Sequence, residues 1–168
     1  MASKVKPALK TASKKSGAYV SVEEQQELSN TFYNEAVRYM DNAKGYLKQA
    51  QKDGNMYRDK KYIKTACGTA YSGVLVALDG YLALKGIHDP PKVRKTVEYY
   101  QRNLAKLDKK MLDHYICAYQ ILHLSGYYDG MGKVEVLLSG FDDANAIVNK
   151  IKPASLNGSP RRNGNTKK

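Results

Sequence analysis

Three groups of residues have the types and spacing to do chemistry. The first is Asp79, a lone carboxylate just after a stretch that carries no charge from Thr65 to Leu78. A carboxylate taken out of water must be paired, hydrogen-bonded or protonated. Asp79 is therefore either a site residue with a perturbed pKa or the partner of a Lys or Arg from a neighbouring element. The second group is His114 and Cys117, one helical turn apart, with Asp113 beside them. Zinc needs three or four convergent ligands, and a thiol nucleophile needs a base in a cleft. His88 and His123 show no partner at suitable spacing, so neither a metal site nor Cys–His catalysis is expected. Lys109, five residues ahead of His114, is the one cation at a useful distance from an imidazole. Five residues turn a helix through about 500°, so the two side chains of one straight helix diverge by about 140°.

The third group is Tyr127, Tyr128 and Asp129, within Ser125-Gly126-Tyr127-Tyr128-Asp129-Gly130. The chain has 14 Tyr against two Phe and no Trp. A tyrosine offers a flat apolar face with a polar rim, which suits stacking on bases or small aromatic ligands; it equally suits the edge of a helical core, with the hydroxyl in water. The 125–130 segment reads as a loop, and loop aromatics are the better functional candidates. No P-loop, Gly-x-Gly-x-x-Gly, Gly-x-Ser-x-Gly or His-Glu-x-x-His is present, so no cofactor is expected.

The elements that must position these residues are helices. Ser21-Val-Glu-Glu24 offers a capping box, and Leu28, Phe32, Ala36, Met40, Ala43, Leu47 and Ala50 follow at steps of four and three, with a stop expected at Asp53-Gly54-Asn55. A second helix is predicted from about Asp59 to Leu84, apolar nearly all round and striped with Ala66, Ala70, Gly73, Ala77 and Gly80, which marks it as the central hub. Each interior glycine costs about 1 kcal/mol relative to Ala, so Gly68, Gly73 and Gly80 imply close packing. A third helix is expected to open at Asp89-Pro90-Pro91. A fourth follows near Asp108, set off from the third by either a turn or a kink, and stops at Ser125-Gly126, and a fifth runs from after Gly130 to before Pro153. No alternating strand pattern occurs, so the fold class is all-α: an antiparallel bundle of four or five helices over residues 21–152.

The net charge of +12 divides unevenly. Residues 1–20, with Lys4, Lys6, Lys10, Lys14 and Lys15, and residues 153–168, with Arg161, Arg162, Lys167 and Lys168, hold no acid and few apolar side chains, so they read as disordered basic arms. With Lys152 they account for ten of the 28 basic residues, leaving 18 against 16 acids between. Phosphate contacts, if any, are expected from the arms. No membrane span or secretory signal is apparent, two cysteines are too few for a disulfide framework, and a cytoplasmic location is expected.

The residues Ala70-Tyr71 through Leu75, Ala77-Leu78, Gly80-Tyr81-Leu82 and Gly86, then a helix pair, the Gly126–Asp129 segment and a closing helix with Phe141 and Ala144, resemble HEPN-type domains over about residues 24–151. The resemblance rests on helix lengths and small/apolar patterning, and it is strongest to a small bacterial family of unknown function on that fold. It implies a helical bundle that forms a homodimer. Active HEPN domains cut RNA or transfer nucleotides with an Arg, four to six intervening residues and a His. This chain departs from that pattern: no Arg precedes any of its histidines at that distance, and Arg102-Asn103 is followed by Leu107, Asp108 and Lys109 where the His would stand. A Lys point charge does not reproduce the planar fork of Arg at a phosphate. The expected function is a non-catalytic HEPN-like interaction module. The alternatives are a ribonuclease or nucleotide-binding domain using Lys109 and His114, and a nucleic-acid-associated protein binding through its arms.

Overall fold

The computed structural model describes residues 21–88 and 94–154. Helix α1 (Val22–Lys48) opens as the sequence predicts: the Ser21 side chain accepts from the Glu24 amide while the Glu24 carboxylate accepts from the Ser21 amide, which satisfies two of the orphan donors at the helix start. Its end comes earlier than the Asp53-Gly54-Asn55 signal. There Asp53 instead ends the first strand of a short antiparallel hairpin, β1 (Lys52–Asp53) with β2 (Met56–Tyr57), and Gly54-Asn55 make its turn, with Gly54 at φ +57°. Arg58 clamps the hairpin by donating twice to one Asp53 carboxylate oxygen, at 2.6 and 3.0 Å. The strands are too short for any alternation to register, which is why the sequence shows none.

Helix α2 (Lys60–Leu84) is capped by Asp59 and is the hub expected of it, packing on α1, α4, α5 and the segment after α4. Ile63, Ala66, Cys67, Ala70, Val74, Ala77 and Leu78 are fully buried along it. By length and composition alone α2 could cross a membrane, yet 56% of that apolar window is buried inside the bundle. Gly73 and Gly80 bring α1 against it, since a Cβ on Gly80 would lie 2.6 Å from the Phe32 Cβ. Gly86, at φ +75°, ends the helix.

Helix α3 (Val97–Leu107) is capped by Thr96, seven residues after the expected cap Asp89; 89–93 lie outside the described residues. Asp108, extended at φ −160° and ψ 98°, closes α3 and caps α4 (Lys109–Ala118), so the two are separate helices joined by a single residue. Helix α5 (Val134–Lys150) closes the bundle, and the buried Ser29 hydroxyl donates to the Ile151 carbonyl at 2.7 Å, tying the end of α5 to α1. The basic arms expected at both termini lie outside the described residues, apart from Pro153, which is buried, and Ala154.

Candidate functional site

The chain does not stop at Ser125-Gly126. It continues without a break from α4 into a π-helix, Tyr119–Tyr128, and Tyr127 and Tyr128 stand on its last turn instead of in a loop. Helices of i→i+5 bonding are usually single-turn insertions and gather at functional sites, so ten residues of one is unusual. Missing side chains on three elements seat it. A Cβ on Gly126 would meet the Cys67 Cβ at 2.7 Å, one on Gly140 would meet Ile121 at 2.5 Å, and one on Gly68 would meet the Tyr127 ring at 2.9 Å. The terminating glycine is Gly130, at φ +68°: its amide donates to the Gly126 carbonyl and that of Met131 donates to Ser125, at 3.1 and 2.9 Å. Lys64 of α2 donates to the Tyr128 carbonyl at 2.7 Å and ties down the same end.

The π-helix presents an aromatic column. Tyr119 and His123 lie with ring centres 5.4 Å apart and planes 25° off parallel, and His123 and Tyr127 follow at 5.8 Å and 20°. Tyr71 of α2 closes on His123 at 4.6 Å, and Tyr128 meets the imidazole edge-on at 5.1 Å. At the open end Tyr127 and Tyr128 are 44% and 59% exposed. Burial among these rings lowers the His123 pKa, which favours the neutral imidazole. Sequence reasoning passed over His123 because it was weighed as a metal ligand; the signal was its place in Tyr115, Tyr119, His123 and Tyr127, all four residues apart.

Beside the column lies a cleft of about 310 Å³ bordered by Tyr71, Arg94, Lys95, Tyr100, Tyr115 and His123. Its floor is a phenol network: Tyr71 and Tyr115 hydroxyls are 3.2 Å apart, and the Tyr100 hydroxyl donates to Asp79 at 2.8 Å. Lys95, in the segment ahead of α3, donates to the same Asp79 oxygen at 2.9 Å, so the carboxylate is held by a neighbouring cation and a phenol. Burial, and then the bond to Asp79, raises the Tyr100 pKa, while burial and the Tyr71 contact raise that of Tyr115; both phenols stay protonated. A larger groove, about 740 Å³, separates the start of α1 from the end of α2, bordered by Glu24, Glu27, Leu28, Leu84 and His88. It has no ring column, and Glu24 is already spent on the capping box.

His114 lies apart from this face. Its Nδ1 is 2.7 Å from Asp143 of α5, and its pocket neighbours are Lys110 and Lys150, while Lys109 does not border that pocket. Cys117 is exposed, but partial burial and the carboxylates of Asp143 and Asp113 raise its thiol pKa, which suppresses the nucleophilic thiolate. Asp129 caps the end of the π-helix and is exposed. The structure therefore brings Tyr127 and Tyr128 together with His123, sets Asp79 at the cleft beside them and Asp129 at the exposed end of the same π-helix, and leaves Lys109 and His114 elsewhere. The arm residues Lys4, Lys6, Lys10, Lys14, Lys15, Arg161, Arg162, Lys167 and Lys168 lie outside the described residues. Among the described residues no three His, Cys, Asp or Glu side chains converge as metal ligands.

Residues 31–153 match the sequence pattern of a family described as a domain of unknown function, DUF5618. Among solved structures, a protein of unknown function from Dyadobacter fermentans is similar, with 42% sequence identity, a TM-score of 0.67, and coverage of 73% of this chain and 95% of that one. No curated protein matches the chain.

Proposed function

The chain belongs to the DUF5618 family of domains of unknown function, and we propose that it is a non-catalytic, HEPN-like interaction module that binds through the aromatic face of its π-helix. The observation that carries this reading is the near-parallel Tyr119–His123–Tyr127 column ending in the exposed Tyr127 and Tyr128 rings. A preformed ramp of rings accepts a further flat group with little loss of side-chain entropy, because Gly68 and Tyr71 already fix the rings against α2. The absence of catalysis in this reading rests on His114: Asp143 holds one ring nitrogen, no guanidinium among the described residues borders the pocket, and the nearby Cys117 thiol is deactivated. The charge partition supports a second, additive role in which the arms attract a polyanion without reading its sequence.

The test is a titration of the full chain with adenosine and with indole, followed through the side-chain resonances of Tyr127, Tyr128 and His123, beside incubation with a mixed RNA. Saturable shifts at these rings, weakened about fivefold or more by Tyr127→Ala, are expected, since one stacked base is worth ~1–3 kcal/mol. RNA is expected to stay intact. No response at the three rings, or degradation of RNA by the wild type and not by His114→Ala, overturns the reading.

A further inference from the structure

The pocket between α4 and α5 is separate from the aromatic face and has a chemistry of its own. It measures about 190 Å³ and is bordered by Lys110, Met111, His114, Ala146, Ile147 and Lys150. We infer that it is a binding site for a small phosphomonoester. Lys110 and His114 are four residues apart on α4 and so share a face, while Lys150 reaches the pocket from the last turn of α5. The floor is apolar, made by Met111 and Ile147, which are buried to 3% and 1% exposure.

Among the described residues no acid borders the pocket, and the two that stand behind it orient the cationic walls. Asp143 engages His114 Nδ1 at 2.7 Å, which leaves Nε2 as the nitrogen for a ligand. Asp108 engages Lys150 at 2.8 Å, which fixes that ammonium and leaves its other N–H groups to donate. Lys109, Asp113, Tyr115 and Cys117 are the remaining titratable groups of α4, and none of them borders the pocket.

Three polar groups from two helices over an apolar floor suit an anion with three terminal oxygens. Two ammonium groups donate to two of them. The third meets His114 Nε2 whichever partner carries the proton: a P–OH donates to the neutral ring, or the protonated ring donates to P–O⁻. A phosphodiester has only two terminal oxygens and leaves one wall unmatched, so this site does not read an RNA backbone. Drug-sized ligands occupy about 300 Å³ or more, so the occupant is smaller, a phosphoryl group on a short carbon chain.

The experiment follows the His114 ring proton of the full chain while glycerol 3-phosphate, dimethyl phosphate or sodium chloride is added at matched ionic strength. Neither arm contains a histidine, so phosphate held by the arms does not give this signal directly. Saturable movement with glycerol 3-phosphate is expected, at least tenfold weaker in Lys110→Gln, whose side chain is exposed and whose loss leaves the fold intact. The same weakening is expected in His114→Gln, read at Ala146 and Ile147, with no change in Tyr127→Ala. A linear response that never saturates, equal affinity for dimethyl phosphate, or undiminished binding by Lys110→Gln overturns the site.

Discussion

Replacing Gly80 by Ala adds one methyl group at the tightest part of the α1–α2 seam. In an isolated helix the change stabilises by about 1 kcal/mol, because Ala gives up less backbone entropy than Gly. Here the new Cβ would stand 2.6 Å from the Phe32 Cβ and 2.7 Å from its Cγ, where carbon atoms at rest sit about 3.5–4.0 Å apart. The nearest of these atoms is a Cβ, which a rotamer change leaves in place, so the backbone of α1 must retreat by roughly 1 Å. Overpacking of this kind costs about 1–3 kcal/mol, and parting a seam that also holds Ala36, Met40 and Ala77 puts this site near the upper end. The net expectation is a loss of about 1–2 kcal/mol, or a melting temperature lower by about 4–8 °C. Gly45, on the exposed side of α1 with nothing within 4 Å of its Cβ position, supplies the opposite sign. Gly45→Ala should gain about 0.5–1 kcal/mol. Thermal unfolding of both variants by circular dichroism decides the matter: a Gly80→Ala protein that melts at or above the wild type refutes the close-approach argument.

Other outcomes follow from particular contacts. Burial pushes the Cys67 thiol up to about 12, so in the native protein at pH 8 a disulfide reagent should titrate Cys117 alone, and more slowly than free cysteine; Cys67 should react only on unfolding. The hydrogen bond from Lys150, with the Met111 amide, holds the Asp108 carboxyl below its usual range. Its stabilisation is therefore complete above the unfolded value of about 4 and lost as pH falls through the folded one. Asp108→Asn keeps a capping oxygen but loses the charge, so urea melts should show a deficit under about 1 kcal/mol at pH 7 that vanishes near pH 2; a gap that persists in acid contradicts the assignment. Filter binding should show nucleic-acid affinity in the full chain that falls steeply with salt and is lost on trimming to residues 20–152; an unchanged salt slope would place the affinity in the bundle. Sedimentation should give a homodimer, and a single species of 18.8 kDa at high micromolar concentration would exclude it.

How much of this was legible in the sequence depends on whether a signal was local. Ser21 with Glu24, Asp59 ahead of α2 and Gly86 behind it act through their own backbone neighbours, and these helix limits read correctly. Asp79 was recognised as needing a partner, but Tyr100 and Lys95 come from 21 and 16 residues away, and no spacing rule picks them. The largest departure, at Gly126, turns on what a glycine is for. A glycine after an apolar run reads as a helix stop, yet Gly126 has no left-handed backbone, and its lack of a side chain is used for contact with Cys67. The stop rule held four residues later, at Gly130. Nothing local separates a glycine that ends a helix from one that lets a helix approach its neighbour, because the second use is defined by a residue 59 positions earlier in the chain. The choice mattered for the site: ended at Gly126, the helix would release Tyr127 and Tyr128 into a loop with independent rotamers. Continued as a π-helix seated by Gly68, Gly126 and Gly140, it stacks Tyr127 against His123 and sets Tyr128 edge-on to the same ring. The aromatic face is thus a product of close packing, and a substitution such as Gly126→Ala should blunt the ring stack before it unfolds the bundle.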